Sequence, residues 1–343
     1  MSDGTGLFEH ASGAAPLSEH GYCTDDVARG LIVVLREPSP PPALQRLEAL
    51  YLTFLVDAQL PDGRFHNRRS AAPECRWRDE VGSDDAVGRA LWALGVATVR
   101  GTSPERRRRA LARFELGAGF SSRSPRANAA AVLGAVEVLA SRWSDHPPAQ
   151  ALLERAASCL GTVSADTYWP WPEARLAYDN ARLAEARVAA GVALGEQWLV
   201  DEGLGLLEWL VATETGGDHF SFTPQSGWAR GERRPGFDQQ PIEAGAMADA
   251  CARAFDTTGD ARWANACLRA AAWFVGSNDL GISLLDAATG GCRDGLRWDG
   301  CNGNEGAEST VALICALQHA RRLHATARSA ASTSAASTVA APT

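Results

Sequence analysis

The stretch Leu44-Gln45-Arg46-Leu47-Glu48-Ala49-Leu50-Tyr51-Leu52-Thr53-Phe54-Leu55 places its large apolar residues Leu44, Leu47, Leu50, Tyr51, Phe54 and Leu55 three and four positions apart. That spacing lines one face of a helix and leaves a charged face opposite. Such a helix suits an outer layer, with one side on the core and the other in water. Similar segments recur at about 105–118, 147–161, 197–213 and 261–276, and the first spans about 43–58. A second kind of segment lies between them, rich in Ala and Gly, as in Ala127-Asn128-Ala129-Ala130-Ala131 and Ala244-Gly245-Ala246-Met247-Ala248. Small side chains let helices approach closely on several sides, which suits an inner layer. These inner segments begin near Thr24, Ser83, Ala127, Asp179, Gln240 and Glu305. Their spacing is that of a helix pair plus a loop, repeated about six times.

Six helix pairs that close on themselves form an all-α (α/α)6 toroid; an open helical solenoid is the structural alternative. Closure is favoured because the count stops near six and no polar capping repeat follows. Residues 1–325 are expected to form this single domain. The stretch 326–343 is rich in Ala, Ser and Thr with almost no charge or bulk, so composition predicts a disordered tail. With six inner and five outer segments, the twelfth helix is left to the N-terminal stretch, to the tail, or to neither.

Composition excludes several classes of function. The 343-residue chain has a formal net charge of −8, which argues against nucleic acid and anionic membrane as partners. The run Glu105-Arg106-Arg107-Arg108-Arg109 falls early in an outer helix and reads as a solvated face. No lysine is present, so Schiff-base, pyridoxal-phosphate and Walker-lysine chemistries are out of reach. No apolar run is long enough to span a bilayer, and the N-terminus lacks a signal-like pattern, so a cytoplasmic protein is expected. The 8 cysteines form no CxxC pair and read as small buried apolar groups. The 7 histidines are scattered and no HExxH occurs, so neither a metal nor a cofactor is expected.

Five of the six inner-helix starts carry polar or acidic clusters. They are Thr24-Asp25-Asp26, Ser83-Asp84-Asp85, Asp179-Asn180, Gln239-Gln240-Pro241-Ile242-Glu243 and Asn302-Gly303-Asn304-Glu305 with Glu308. In a toroid the inner helices run parallel, so these starts converge on one mouth. Capping explains part of the pattern: Thr24 and Ser83 can each cap a helix, first-turn acids suit the helix dipole, and Pro241 fits a first turn. The acidic doublets exceed what capping needs. Aromatic residues in the intervening loops, Trp77, Trp169, Trp171, Phe237 and Trp298, add apolar platforms, and His20 lies beside the first acid pair. Carboxylates and amides bond sugar hydroxyls while aromatic faces cover sugar C–H faces, so the combination points to carbohydrate.

Glycoside hydrolysis uses two carboxyl groups, one of them an acid with a raised pKa. Glu243, about one turn into a helix of small apolar residues, is the first choice for that acid. Asp26, Asp85 and Glu308 are candidates for the base. Asp25, Asp84, Asp179, Asn180, Gln239, Gln240, Asn302 and Glu305 are expected to hold hydroxyls. Arg29, Arg89 and Arg182 follow their acids by three or four residues and are expected to pair with them.

The segments Asp3-Gly4-Thr5-Gly6-Leu7-Phe8-Glu9-His10, His20-Gly21-Tyr22-Cys23-Thr24-Asp25-Asp26, Phe237-Asp238-Gln239-Gln240-Pro241-Ile242-Glu243 and Gly306-Ala307-Glu308-Ser309-Thr310 resemble a bacterial helical-toroid family. That family occurs alone or fused behind retaining-type glycosyltransferase domains. The resemblance covers most of residues 3–322 and implies a six-hairpin glycosidase-like fold in a glycan context. The carboxyl and aromatic cluster leads to a glycoside hydrolase acting on an oligosaccharide, expected to be inverting by analogy with other (α/α)6 enzymes. The alternatives are a non-catalytic glycan-binding or assembly domain, and a sugar epimerase or phosphorylase.

Overall fold

A computed structural model describes residues 1–339. Eleven helices are present among the described residues: α1 (Thr24–Leu35), α2 (Pro42–Ala58), α3 (Asp84–Arg100), α4 (Pro104–Gly117), α5 (Pro125–Leu139), α6 (Pro147–Ala157), α7 (Ala181–Leu194), α8 (Gln197–Thr213), α9 (Pro241–Thr258), α10 (Ala261–Trp273) and α11 (Ala307–Val339). The odd-numbered helices form a closed ring, α1 against α3, then α5, α7, α9 and α11, with α11 returning to α1. The even-numbered helices pack outside, each on the inner helix before it. This is the (α/α)6 toroid that the two kinds of helical pattern require.

The Ala/Gly content of the inner layer has a direct steric reason. A Cβ on Gly88 would lie 2.3 Å from the carbonyl oxygen of Ala127, and one on Gly95 2.3 Å from that of Gly134. Helices α3 and α5 therefore meet backbone to backbone. Every residue from Ala86 to Thr98 is buried, including Arg89.

Ser83 Oγ caps α3 by accepting from the Ala86 N–H at 3.2 Å. Thr24 does not cap α1: it is the first helical residue, and its hydroxyl donates to the His66 carbonyl at 2.7 Å. That bond ties the start of α1 to the loop after α2. Pro241 opens α9 as expected.

No outer helix follows α11 among the described residues. Instead the N-terminal segment lies against its start. The Glu9 carbonyl accepts from the Ala307 N–H at 3.1 Å, and the Gly13 carbonyl from the Glu305 N–H at 3.0 Å. Helix α11 itself runs on to Val339, over most of the stretch for which composition predicts disorder. Alanine is the strongest helix former, and the stretch contains no Gly or Pro before Pro342 to stop the helix. Residues 340–343 lie outside the described residues. No described helix is long and apolar enough to cross a membrane.

Candidate functional site at the inner-helix mouth

The two faces of the toroid differ in their loops. Connections on the face where the inner helices end are short, at 36–41, 101–103, 140–146, 195–196 and 259–260. Connections on the face where they begin are long at 59–83, 158–180, 214–240 and 274–306, and short only at 118–124. The long loops, stiffened by two-residue strand pairs such as Tyr22–Cys23 with Arg68–Arg69, build walls around the mouth that carries the acidic clusters.

A chain of alternating charges starts at this mouth and runs down the lumen. Arg29 reaches Asp25 at 3.2 Å, Asp26 at 2.7 Å and Glu308 at 3.0 Å. Arg89 joins Asp25 to Asp179, the latter at 3.0 Å. Arg182 joins Asp179, Glu185 and Asp249, and Arg36 meets Asp249 from the far side. The expected pairing of Arg29 and Arg182 with acids one turn earlier is present. Arg89 does not pair with its own Asp85; it crosses to α1 and to the start of α7. No local pattern announces that crossing, because it depends on where neighbouring helices stand. Despite burial, which works the other way, Arg89 and Arg29 hold the Asp25 carboxyl below its usual range, and Arg182 and Arg89 do the same for Asp179.

Glu243 is buried, with both oxygens on the start of α7. Oε1 accepts from the Asp179 N–H at 2.5 Å, and Oε2 from the Asn180 N–H and Nδ2, each at 3.1 Å. Burial, then the nearby Glu214 and Asp179, push its pKa up to about 8. The raised pKa expected of an acid is present, but the geometry is that of a side chain closing off a helix N-terminus. Asp179 has φ 50° and is held between two arginines, and Asn180 is fully buried and accepts from Arg126 at 3.2 Å. These three residues, expected at substrate, are committed to one another.

Several other expectations give way for the same reason. Gln239 is buried; its Oε1 accepts from the Phe222 N–H at 3.0 Å and Trp273 Nε1 at 3.2 Å, while its Nε2 donates to Asp279. Glu305 is buried against Thr289 at 2.7 Å and Arg293 at 3.2 Å. Asn302 is half-buried and forms a local turn with the Asn304 N–H at 2.9 Å. Trp169 and Trp171 are core plugs, packed with Trp209 and Trp228. Phe237 packs partly on the core, Gln240 is half-buried at the entry to α9, and Trp77 stacks on His66 with centroids 5.1 Å apart.

What stays open at the mouth is a smaller set. Asp84 is exposed and accepts from Ser122 Oγ at 2.5 Å. Asp85 is half-buried and accepts from Ser124 Oγ at 3.1 Å and the Tyr178 hydroxyl at 2.5 Å. Glu308 keeps 39% of its side chain exposed. His20 is exposed, edge-on to His10, and Trp298 is 75% exposed on the Leu296–Arg297/Gly300–Cys301 hairpin.

Asp26 is not among them. It is buried, and burial together with Asp25 and Glu308 pushes its pKa up to about 7 against the pull of Arg29. Asp26 Oδ1 and Glu308 Oε2 lie 2.7 and 3.0 Å from the same Arg29 nitrogen, and so at most 5.7 Å from each other.

Two groups of metal-capable side chains occur among the described residues, Asp249 with Cys315 and His319, and Glu9 with Cys23 and Asp26. In the first, Arg36 Nη1 already lies 2.7 Å from Asp249 and 2.8 Å from Cys315. In the second, Arg29 holds Asp26 and Arg68 holds Glu9. In both, a guanidinium supplies the positive charge that a metal would bring.

This architecture places the chain among six-hairpin, (α/α)6 toroid proteins, and solved structures bear that out. A sugar epimerase from a ruminal bacterium superposes with a TM-score of 0.71 at 11% identity, covering 94% of this chain and 93% of that one. The cellobiose 2-epimerase of Spirochaeta thermophila gives 0.68 at 12%, covering 94% and 91%. A GH76 α-mannanase of Bacteroides thetaiotaomicron gives 0.60 at 11%, covering 87% and 86%. At these identities the likeness establishes the fold. No protein-family model and no curated protein matches the sequence.

Proposed function

We propose that the protein is a carbohydrate-active enzyme, a glycoside hydrolase whose substrate enters at the inner-helix mouth. The observation that carries this reading is the Asp26–Arg29–Glu308 arrangement. It offers a buried carboxyl with pKa about 7 beside a carboxylate that stays partly exposed, both held on one guanidinium. Asp26 Oδ1 accepts from Arg29 at 2.7 Å. Protonated near neutral pH, it is suited to act as the general acid. Glu308 is the second carboxyl group of the proposed pair. In this reading the exposed Asp84 bonds hydroxyls and Trp298 covers a sugar face. The acid role thus moves from Glu243 to Asp26. The glycosyltransferase setting implied by the sequence resemblance agrees with a glycan substrate.

The test is product formation from a panel of α- and β-linked oligosaccharides, with and without phosphate, for the wild type and Asp26→Asn. Release without phosphate that falls about 10²–10⁴-fold in the variant supports the reading. Release that depends on phosphate would make the enzyme a phosphorylase. Saturable binding with no turnover would make it a glycan-binding domain.

A second reading, sugar epimerisation, draws on the similarity to two epimerases and on His219. Although burial lowers it, bonds to Asp279 and Asp218 leave the His219 pKa raised. Solvent deuterium incorporation at a sugar carbon without bond cleavage would favour it.

A further inference from the structure

We propose that Asp249, Cys315 and His319 form a zinc site inside the toroid, in which the ion takes the place of the Arg36 guanidinium. This inference is independent of the glycosidase reading. Cys315 lies about 10 Å farther along α11 than Glu308, well below the mouth.

The three donors converge from two helices. Cys315 and His319 are one turn apart on α11 and share a face, and Asp249 stands opposite on α9. Asp249 Oδ1 meets His319 Nε2 at 2.6 Å and Cys315 Sγ at 3.1 Å. The oxygen, sulfur and nitrogen donors all lie within 4.8 Å of one another. Tetrahedral zinc, with bonds of about 2.0–2.3 Å, holds its ligand atoms about 3.3–3.7 Å apart, so shifts of about 1 Å complete the set. A thiolate, an imidazole and a carboxylate together select zinc over magnesium or calcium, which take oxygen ligands. Arg182 already holds the other Asp249 oxygen, Oδ2, at 2.9 Å, which orients the carboxylate from behind.

Arg36 marks this point as one where a cation is stable. Its Nη1 lies 2.7 Å from Asp249 and 2.8 Å from Cys315. The exchange keeps the buried charge constant. The two charges of Zn²⁺ are balanced by the thiolate formed when Cys315 gives its proton to water, and by the departure of the guanidinium. Arg36 caps the end of α1 and borders a cavity of about 890 Å³, which Glu137, Asp249 and His319 also line. That cavity gives the ion a path to the cluster and gives the guanidinium room to withdraw towards Glu137. On the lumen side, Asp249 and Cys315 line a smaller cavity beneath Arg29. The fourth position is left to water. The Glu9, Cys23 and Asp26 group lacks a histidine, and its Arg29 is held by Asp25, Asp26 and Glu308 at once.

The test uses the full chain, stripped with a chelator and titrated with Zn²⁺ by calorimetry and with Co²⁺ by absorbance. Wild type is compared with Cys315→Ser, His319→Ala and Arg36→Met. The expected results are one ion per chain, a thiolate-to-cobalt charge-transfer band, and the intense visible bands of a four-coordinate site. Cys315→Ser should lack the charge-transfer band. Cys315→Ser and His319→Ala should each weaken binding at least about ten-fold, while Arg36→Met, freed of the competing guanidinium, should tighten it about ten-fold. X-ray absorption at the zinc edge of the wild type should show one sulfur at about 2.3 Å and three lighter ligands at about 2.0–2.2 Å. No ion on either wild type or Arg36→Met overturns the site, as does an ion bound equally well by Cys315→Ser. Should the Cys315 or His319 variants fail to fold, the sulfur count at the zinc edge and the gain in Arg36→Met still decide.

Discussion

Glu243 Oε2 accepts two hydrogen bonds from Asn180, one from its backbone N–H and one from its side-chain amide, each at 3.1 Å. A side chain at the start of α9 thereby closes the start of α7. Glu243→Ala leaves the buried Asp179 and Asn180 N–H groups without an acceptor, at about 1–3 kcal/mol per group. The expected outcome is a lower urea midpoint, with activity lost alongside stability. A Glu243→Gln variant that folds with wild-type stability yet loses all turnover would return the acid role to this residue.

The pH dependence of activity follows from Asp26. A general acid must be protonated, so kcat/KM is expected to fall as pH rises through about 7. A pH–rate profile checks this. In Asp26→Asn the alkaline limb should disappear along with most of the rate.

Stability carries its own pH signature. Asp26 and Glu243 have folded-state pKa values of about 7 and about 8, above their unfolded values of 3.8 and 4.5. The native state then binds more protons than the unfolded chain between about pH 4 and 8, and stability falls as pH rises through that window. His219, also raised, acts in the same direction. Asp25, Asp179 and Asp249 are lowered and change stability only below about pH 4. Urea midpoints at pH 5 and pH 8 test the sign; a higher midpoint at pH 8 would contradict it.

The α3–α5 contact predicts a strict glycine. A Cβ at Gly95 meets the Gly134 carbonyl at 2.3 Å, a backbone group that moves only with its helix. Gly95→Ala should cost about 1–3 kcal/mol by overpacking, although alanine is the better helix former. Thermal unfolding measures it.

Two tryptophans separate platform from plug. Trp298 is 75% exposed, so Trp298→Ala should raise KM with little change in melting temperature. Trp171 is 2% exposed, so Trp171→Ala should cost about 3–5 kcal/mol of stability. Melting curves and saturation kinetics on both variants provide the comparison.

The sequence by itself determined the architecture. The 3- and 4-residue spacing of Leu44 to Leu55 and the Ala/Gly runs of the inner segments report which faces a helix buries and how closely its neighbours approach. Those are local properties, and they placed the helices within a few residues and the acidic clusters at the inner starts. They also yielded Asp26 and Glu308 as candidates, without ranking them. Tertiary structure decided which polar residues are free. Glu243, Gln239 and Asp179 read in sequence like substrate ligands, but each is consumed by a partner between 17 and 90 positions away. Arg89 likewise turns from its own Asp85 to Asp25 and Asp179. A side chain's hydrogen-bonding capacity is written in its chemistry. Whether that capacity is already spent depends on groups that only ring closure brings within about 3 Å.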